Sequence, residues 1–174
     1  MLFVTFRLGD AMPQEKLNQW REERNEWLLR NPEPWSEEEE NAYHRLFTWR
    51  MESWLDQGEG SCLLRDPVVR FRIERVLRTD DPVRAIHHAW VLMPNHVHLL
   101  FKPLHPIDAL LKTWKGVSAR RIGRGPIWQS GYRDTLIRDD THFANAVRYI
   151  RRNPESLPAS AFSLWQSGRA LSVP

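Results

Sequence analysis

Runs of apolar residues with two different spacings divide the first half of the chain into one strand and several helices. Residues 2–8 are mostly aromatic or β-branched, which favours a strand. Leucines and tryptophans recur at helical spacing over 13–31 and predict a helix there. Ser36 followed by Glu39 forms a capping-box pattern, so a second helix begins at this point. A third helix, with a proline in its first turn, is predicted over 67–77.

The second half of the chain alternates apolar runs of strand length with longer helical patterns. Two strands are predicted over 84–92 and 96–102, with a turn at 93–95 between them. A helix over 106–122 and an extended segment over 127–137 follow. The last predicted helix is capped by Asp139 or Asp140 and ends before Pro154. Helices that alternate with hairpin-linked strands predict an α+β fold, an antiparallel sheet with helices on one face.

The same pattern suggests a domain organisation. The chain of 174 residues fits one domain, which we place over 1–154. A helical insertion over about 12–80 follows its first strand. The segment 155–174 is rich in Ser, Ala and Pro, so we expect a loosely packed tail.

Composition excludes several classes of protein. Hydrophobic residues make up 41% and charged residues 27% of the chain, as in ordinary globular proteins. The longest apolar run, 89–93, is far shorter than the roughly 20 residues that span a bilayer, and so is the segment 97–101, which contains His98. The single cysteine, Cys62, excludes an internal disulfide and a multi-cysteine zinc site. We expect a cytoplasmic protein with no membrane partner, since the first residues lack the pattern of a secretory signal.

Charge is distributed unevenly along the chain. Residues 10–60 contain 13 acidic and 6 basic residues, whereas residues 112–152 contain 10 basic and 3 acidic ones. A basic cluster favours binding of a polyanion such as nucleic acid, although a solvated basic face explains it equally well. The basic residues are Lys112, Lys115, Arg120, Arg121, Arg124, Arg133, Arg138, Arg148, Arg151 and Arg152.

Two histidines alternate with a valine in the predicted strand over 96–102. His96 and His98 point to the same side of that strand, with Cα atoms about 6.6–6.8 Å apart, so their imidazoles can converge on one cation. No third strong ligand lies nearby in the sequence, which favours a weakly held cation that is open to solvent. The two histidines by themselves do not exclude zinc as that cation. The alternative is a pair of partly exposed histidines on a polar face of the sheet.

A tyrosine and an asparagine share one side of the last predicted helix. Tyr149 and Asn153 are four residues apart and lie at the margin of its apolar stripe, so both could face a cleft over the sheet. The alternative is a tyrosine that only borders the core and an asparagine that ends the helix. Tyr132 lies among basic residues in an extended segment and is the alternative candidate for the functional tyrosine. Tyr43 lies in the acidic half of the chain, which is unfavourable for phosphate chemistry.

The residues around these candidates resemble a known family. The run Val-Leu-Met-Pro-Asn-His-Val-His-Leu-Leu over 91–100 resembles the His-hydrophobic-His motif of small single-tyrosine transposases, in the superfamily of HUH single-strand endonucleases. Further blocks are similar to the REP-associated tyrosine transposases. These blocks are 3–8, 128–129, 131–134, 137–139 and 149–154, in the same order along the chain. After Pro154 the chain departs from that pattern.

The resemblance implies a fold and a site. The fold would be a ferredoxin-like antiparallel sheet with the histidines on a central strand. His96 and His98 would be metal ligands for Mg²⁺ or Mn²⁺, and Asn153 would be a third, polar ligand. Tyr149 would be the nucleophile. Relatives act as monomers or homodimers, and both stay open for this chain.

The implied activity is that of a metal-dependent endonuclease and strand transferase. It would act on single-stranded, hairpin-containing DNA through a 5′-phosphotyrosine, in DNA transposition or mobilisation of REP elements. Arg148, Arg151 and Arg152 could then bind flanking phosphates, Arg133 and Arg138 could hold the strand, and Trp128 and Tyr132 could stack on unpaired bases. A non-catalytic binder of hairpin DNA or RNA is the main alternative. A zinc hydrolase is a third, and it would need a further carboxylate or histidine beside the pair.

Overall fold

The computed structural model describes all residues from Met1 to Pro174. The chain divides into two compact units. The first unit consists of Met1–Gly9 and Cys62–Pro174, and the second is the inserted segment Asp10–Ser61.

The first unit is built on one five-stranded sheet. Its strands are β1 (Leu2–Arg7), β2 (Ala85–Leu92), β3 (His96–Pro103), β4 (Arg133–Leu136) and β5 (Ser163–Gln166). They lie in the order β4-β1-β3-β2-β5, and every neighbouring pair is antiparallel. The order of the first four strands is that of a ferredoxin-like sheet, so the predicted α+β class is confirmed. The predicted hairpin is the pair β2 and β3, joined at Met93–Asn95.

Helices cover both faces of this sheet, and not one face as expected. The helices of this unit are α4 (Pro67–Thr79), α5 (Ile107–Ile122), α6 (Asp140–Arg152) and α7 (Gly168–Leu171). Helices α4 and α5 pack on one face, where Trp114 of α5 meets Phe101 of β3 with ring centroids 5.2 Å apart. Helix α6 packs on the other face, against Val91 and Leu100. Because β2 and β3 carry buried side chains on both sides, one helical layer cannot cover them.

The second unit contains three helices and is stabilised by aromatic contacts. These helices are α1 (Gln14–Arg30), α2 (Glu37–Tyr43) and α3 (Trp49–Asp56), with a π-helical turn, His44–Thr48, between α2 and α3. The capping box of Ser36 and Glu39 is present as predicted. Trp27 packs edge-on against Trp35 with ring centroids 5.2 Å apart, and both side chains are half-buried. None of the helices in the chain has both the length and the apolar character needed to cross a membrane.

The structure sets the boundaries of the insertion and of the tail differently from the sequence analysis. The insertion ends at Ser61, since α4 belongs to the sheet unit and packs on α5. The segment 155–174 is not a loose tail, because β5 pairs with the free edge of β2 and Trp165 stacks on Trp90 with ring centroids 5.9 Å apart. A four-residue strand gives a weak sequence signal, and a run of Ser, Ala and Pro conceals it.

His87 is a buried histidine on the sheet face that α5 covers. The residue is 3% exposed, and its ring lies 5.8 Å from the ring of Phe101 and 5.3 Å from that of Trp114. Burial lowers the pKa of His87 to about 4 from an ordinary value of 6.5, and the nearby Asp80 and Asp81 offset only part of this effect.

We expect the stability of the sheet unit to fall in acid because of this burial. Below pH 6.5 the unfolded chain protonates His87, whereas the folded chain does so only near pH 4, so the free energy of unfolding decreases as the pH falls through that window. His87→Phe should therefore reduce the slope of unfolding free energy against pH by about 1.4 kcal/mol per pH unit. Urea unfolding at several pH values measures that slope. The exposed His105 gives the control variant, His105→Phe, which should keep the wild-type slope. Equal slopes for wild type and His87→Phe would contradict the prediction.

Candidate functional site

The two candidate histidines lie side by side on the central strand of the sheet. Both His96 and His98 belong to β3 and are 1% and 0% exposed. Their Nε2 atoms are 3.0 Å apart, and the two rings are nearly perpendicular, with an interplanar angle of 80°. The alternative of two partly exposed histidines on a polar face is therefore wrong. A buried pair of polar rings needs partners for its nitrogens, because an unsatisfied buried polar group is destabilising.

Two neighbouring side chains satisfy the outer nitrogen of each ring. His96 Nδ1 is 2.8 Å from Asn95 Oδ1, and His98 Nδ1 is 2.8 Å from Thr5 Oγ1. The amide oxygen of Asn95 can only accept a hydrogen bond, so it assigns the proton of His96 to Nδ1 and leaves a lone pair on Nε2. The Thr5 hydroxyl can donate or accept, which allows either tautomer of His98. Both bonds aim the Nε2 atoms at each other.

Thr5 and Asn95 did not emerge from the sequence analysis as functional residues. Thr5 stands directly opposite His98 in the register of β1 and β3, and only that register reveals its role. Asn95 immediately precedes the histidine motif in the hairpin turn. Its backbone carbonyl also accepts the Leu8 N–H at 2.9 Å, which fixes the turn against the end of β1.

The surroundings of His98 keep its ring neutral. Burial lowers its pKa to about 3 from 6.5, and the positive charge of Arg133 contributes in the same direction. Arg133 is the cross-strand partner of Thr5 on β4. At neutral pH His98 is therefore an uncharged imidazole, the form that can bind a cation.

Tyr149 reaches the histidine pair from the helix that covers this face. Asp139 caps α6 by accepting the His142 N–H, and the buried residues of α6 hold the helix on the sheet. The Tyr149 ring lies 5.2 Å from the ring of His98, edge-on at 84°. It also contacts Phe3 at 5.6 Å. Helix and strand thus place a phenol beside the paired imidazoles, which is the juxtaposition that in-line attack at one bound phosphate requires.

Asn153 directly follows α6. Its N–H donates to the carbonyl of Tyr149 at 2.9 Å, and its side-chain oxygen Oδ1 is buried without a hydrogen-bond partner. An orphaned buried oxygen one helical turn from Tyr149 is a feature that a cation would satisfy.

The donor set fits a divalent cation with open coordination positions. Two nitrogens bound to one octahedral cation lie about 3.0 Å apart, and the Nε2 atoms of His96 and His98 are 3.0 Å apart. If two imidazole nitrogens and one amide oxygen bind such a cation, its remaining coordination positions are open to substrate oxygens. No group of three or more His, Cys, Asp or Glu residues in the chain is arranged so that it could hold a metal ion. A zinc hydrolase site of the kind considered above would need such a group.

The other two tyrosines lie in different surroundings. The Tyr132 hydroxyl donates to Asp108 Oδ1 at 2.7 Å. Burial raises the pKa of Tyr132 to about 12, and the hydrogen bond and charge of Asp108 add to the shift, which makes this phenol a poorer nucleophile. Tyr43 packs against Trp35 in the inserted unit. Tyr149 is the tyrosine that contacts the histidine pair.

The structure separates the basic residues of the sequence cluster into groups. Arg133 lies beside His98, and Arg138 and Arg152 are exposed. The guanidinium of Arg151 instead donates to Gln166 and to the carbonyls of Ala170 and Val173. Arg148 donates to the carbonyl of Pro174 and to Asn145. Both of these arginines therefore hold the C-terminal segment.

The remaining candidates belong to α5 or to the loop that follows it. Lys112, Lys115, Arg120 and Arg121 project from α5, which covers the sheet face opposite the histidines. Lys115 donates to the carbonyls of Gln129 and Gly131, and burial lowers its pKa. The Trp128 indole donates to Ser118 and packs edge-on against Phe6, so this ring supports the loop.

Comparison with known proteins gives one structural likeness. No family model matches the chain, and no curated protein matches it. A solved structure of a REP-associated tyrosine transposase bound to a REP hairpin aligns with 89% of this chain at 18% sequence identity and a TM-score of 0.49. The alignment covers 66% of that other chain, so this chain spans slightly less than two thirds of its length.

Proposed function

We propose that this protein cuts and rejoins single-stranded DNA through a covalent bond to Tyr149. The observation that carries the proposal is the contact of the Tyr149 ring with His98, whose Nε2 lies 3.0 Å from that of His96. The Tyr149 ring therefore lies next to the two histidine nitrogens that would bind a cation. The substrate class, hairpin-containing single strands, follows from the resemblance of the histidine and tyrosine motifs to REP-associated tyrosine transposases.

His96, His98 and Asn153 would hold a divalent cation, with Mg²⁺ or Mn²⁺ expected. When bound there, the cation would neutralise negative charge on the non-bridging oxygens of a phosphodiester. Thr5 and Asn95 fix the orientation of both imidazoles, so no rearrangement of the rings is needed on binding.

The chemical step is a transesterification by the tyrosine hydroxyl. Tyr149 Oη attacks phosphorus and forms the new P–O bond, while the bond between phosphorus and the 3′ oxygen breaks. The phenolic proton passes to solvent and the leaving 3′ oxygen takes one up, so the products are a 5′-phosphotyrosine and a free 3′-OH. Attack by a different 3′-OH reverses the step and joins strands without any further energy source. Phe3 packs against the Tyr149 ring and restricts its orientation.

Tyr149→Phe should abolish the covalent adduct and leave DNA binding unchanged, because it removes only the attacking oxygen. The measurement is a shift on a denaturing gel after incubation with hairpin-tipped oligonucleotides and Mg²⁺ or Mn²⁺. Tyr132→Phe is the matched control and should form the adduct at the wild-type rate, since its hydroxyl is bonded to Asp108. Binding without any adduct in the wild type would favour a non-catalytic hairpin-binding protein.

Thr5→Val should weaken Mn²⁺ binding while the fold is retained. The substitution keeps the branched shape of the side chain but removes the hydroxyl that orients His98, and loss of such outer contacts typically lowers metal affinity about 10- to 100-fold. Titration calorimetry or Mn²⁺ paramagnetic resonance measures the affinity. Thr5→Ser retains the hydroxyl and should bind as the wild type does. Equal affinities for Thr5→Val and the wild type would show that the hydrogen bond has no part in holding the cation.

A further inference from the structure

Helix α4, on the sheet face opposite the histidines, carries an exposed aromatic side chain. Phe71 is 59% exposed, although phenylalanine is usually buried. Val69 and Ile73 are the residues of this stretch that face the sheet, so Phe71 has no part in that core. The guanidinium of Arg75 lies over the Phe71 ring, 6.0 Å from its centroid, and Val68 on the same stripe is 57% exposed. An exposed ring beside a guanidinium is a combination on which nucleic-acid bases stack.

The end of α5 lies beside this stretch of α4. The Arg72 guanidinium donates to the backbone carbonyl of Arg121 at 2.7 Å, which ties the two helices together at that level. Helix α5 ends at Gly123, which has a φ of 73°, and Gly125 has a φ of 74°. Because both glycines adopt the left-handed backbone, the chain turns on each side of Arg124. Arg124 is thereby exposed in a turn that follows directly on α5.

Four exposed arginines on these two helices and the turn form no ion pair within the chain. They are Arg75, Arg120, Arg121 and Arg124. Glu74 is the one acidic residue of α4, and it lies near another arginine: burial lowers the pKa of Arg70, and the charge of Glu74 offsets part of that effect. A cluster of exposed, unpaired cations favours a polyanion, which releases counterions on binding. Together with Phe71, the four arginines make up what is here named the α4–α5 surface.

We propose that the α4–α5 surface binds unpaired nucleotides of a DNA strand. The arginines contact backbone phosphates through their forked donors, and Phe71 stacks on one base. Bases within a double helix are stacked on one another, whereas an unpaired strand offers a free base together with its backbone. The inference rests on the proposed function for the identity of the polyanion as DNA. Because α4 and α5 cover the face opposite the histidines, the surface binds nucleotides away from the phosphate that Tyr149 attacks.

The test measures equilibrium binding of two fluorescent probes, an unstructured oligothymidine and a blunt-ended duplex of the same length. A chelator keeps divalent cations away from the histidines, and all proteins carry Tyr149→Phe so that no adduct forms. Phe71→Ala should lower affinity for the unpaired strand about 5- to 150-fold, the range for loss of one stacked base, and leave affinity for the duplex unchanged. Phe71→Trp keeps a stacking ring and should bind the strand at least as tightly as the parent protein.

The salt dependence of strand binding tests the arginines. Arg121→Gln and Arg124→Gln should each reduce the slope of log binding constant against log salt concentration by about 0.7, because one phosphate contact fewer releases fewer counterions. Arg21→Gln and Trp49→Ala are the matched controls. Both change exposed residues of the inserted unit, in a segment with 13 acidic and 6 basic residues, so both should bind as the parent protein does. Thermal unfolding verifies the fold of every variant.

The possible outcomes separate this inference from the proposed function. Unchanged strand affinity in Phe71→Ala, together with an adduct on Tyr149 in the protein that retains it, overturns the surface and leaves the proposed function intact. Equal losses on strand and duplex likewise overturn it, because stacking on an unpaired base predicts a difference. A dimer in sedimentation that Phe71→Ala dissociates at unchanged DNA affinity assigns Phe71 to a contact between two copies and also overturns it. Strand binding that depends on Phe71 without any adduct supports the surface and overturns the strand-cutting proposal. Failure to bind any oligonucleotide overturns both.

Discussion

The candidate site depends on the antiparallel pairing of β1 with β3 in one register. That register puts Thr5 opposite His98 and Arg7 opposite His96. A shift by one residue would turn Thr5 to the other face and bring Val4 and Phe6 toward the histidines. The hydrogen bond from Leu8 N–H to the Asn95 carbonyl, 2.9 Å long, ties the end of β1 to the hairpin turn and opposes such a shift. The geometry of the imidazoles is therefore a consequence of strand pairing.

Burying two imidazoles in the middle of a sheet is unfavourable unless their nitrogens are satisfied. Asn95 and Thr5 satisfy the outer nitrogens, and the Nε2 atoms face each other. A hydrophobic pair at these positions would serve folding as well without any of these partners. The whole polar arrangement, together with the orphaned oxygen of Asn153, is thus better explained by a ligand than by stability.

Much of the fold could be predicted from local sequence signals. The capping box at Ser36, the proline at the start of α4 and the cap at Asp139 each mark a helix start that the structure contains. The hairpin around Met93–Asn95 is also local. The alternation of His96 and His98 predicted that their side chains share a face, and the structure places them so.

The features that sequence could not provide depend on contacts between distant residues. The role of Thr5 follows from pairing with a strand more than 90 residues away, which no local pattern encodes. The second helical layer covers the second apolar face of β2, and Ser163–Gln166 pairs with the edge of β2 that β3 leaves open. Phosphate binding by Arg148 and Arg151 is what the resemblance and their place on the tyrosine helix predict, and the backbone carbonyls that they contact belong to residues that no local pattern relates to them.

Those carbonyls attach the C-terminal segment to the helix that carries Tyr149. Arg151 donates to Ala170 and Val173, and Arg148 donates to Pro174, so the last residues of the chain are attached to α6 itself. Because α6 carries Tyr149, the segment from Ser163 onward supports the helix that presents the phenol to His98. The guanidinium groups of α6 are largely committed to this support. Arg148 and Arg151 are therefore engaged in holding the C-terminal segment, whereas Arg152 at the end of α6 is exposed.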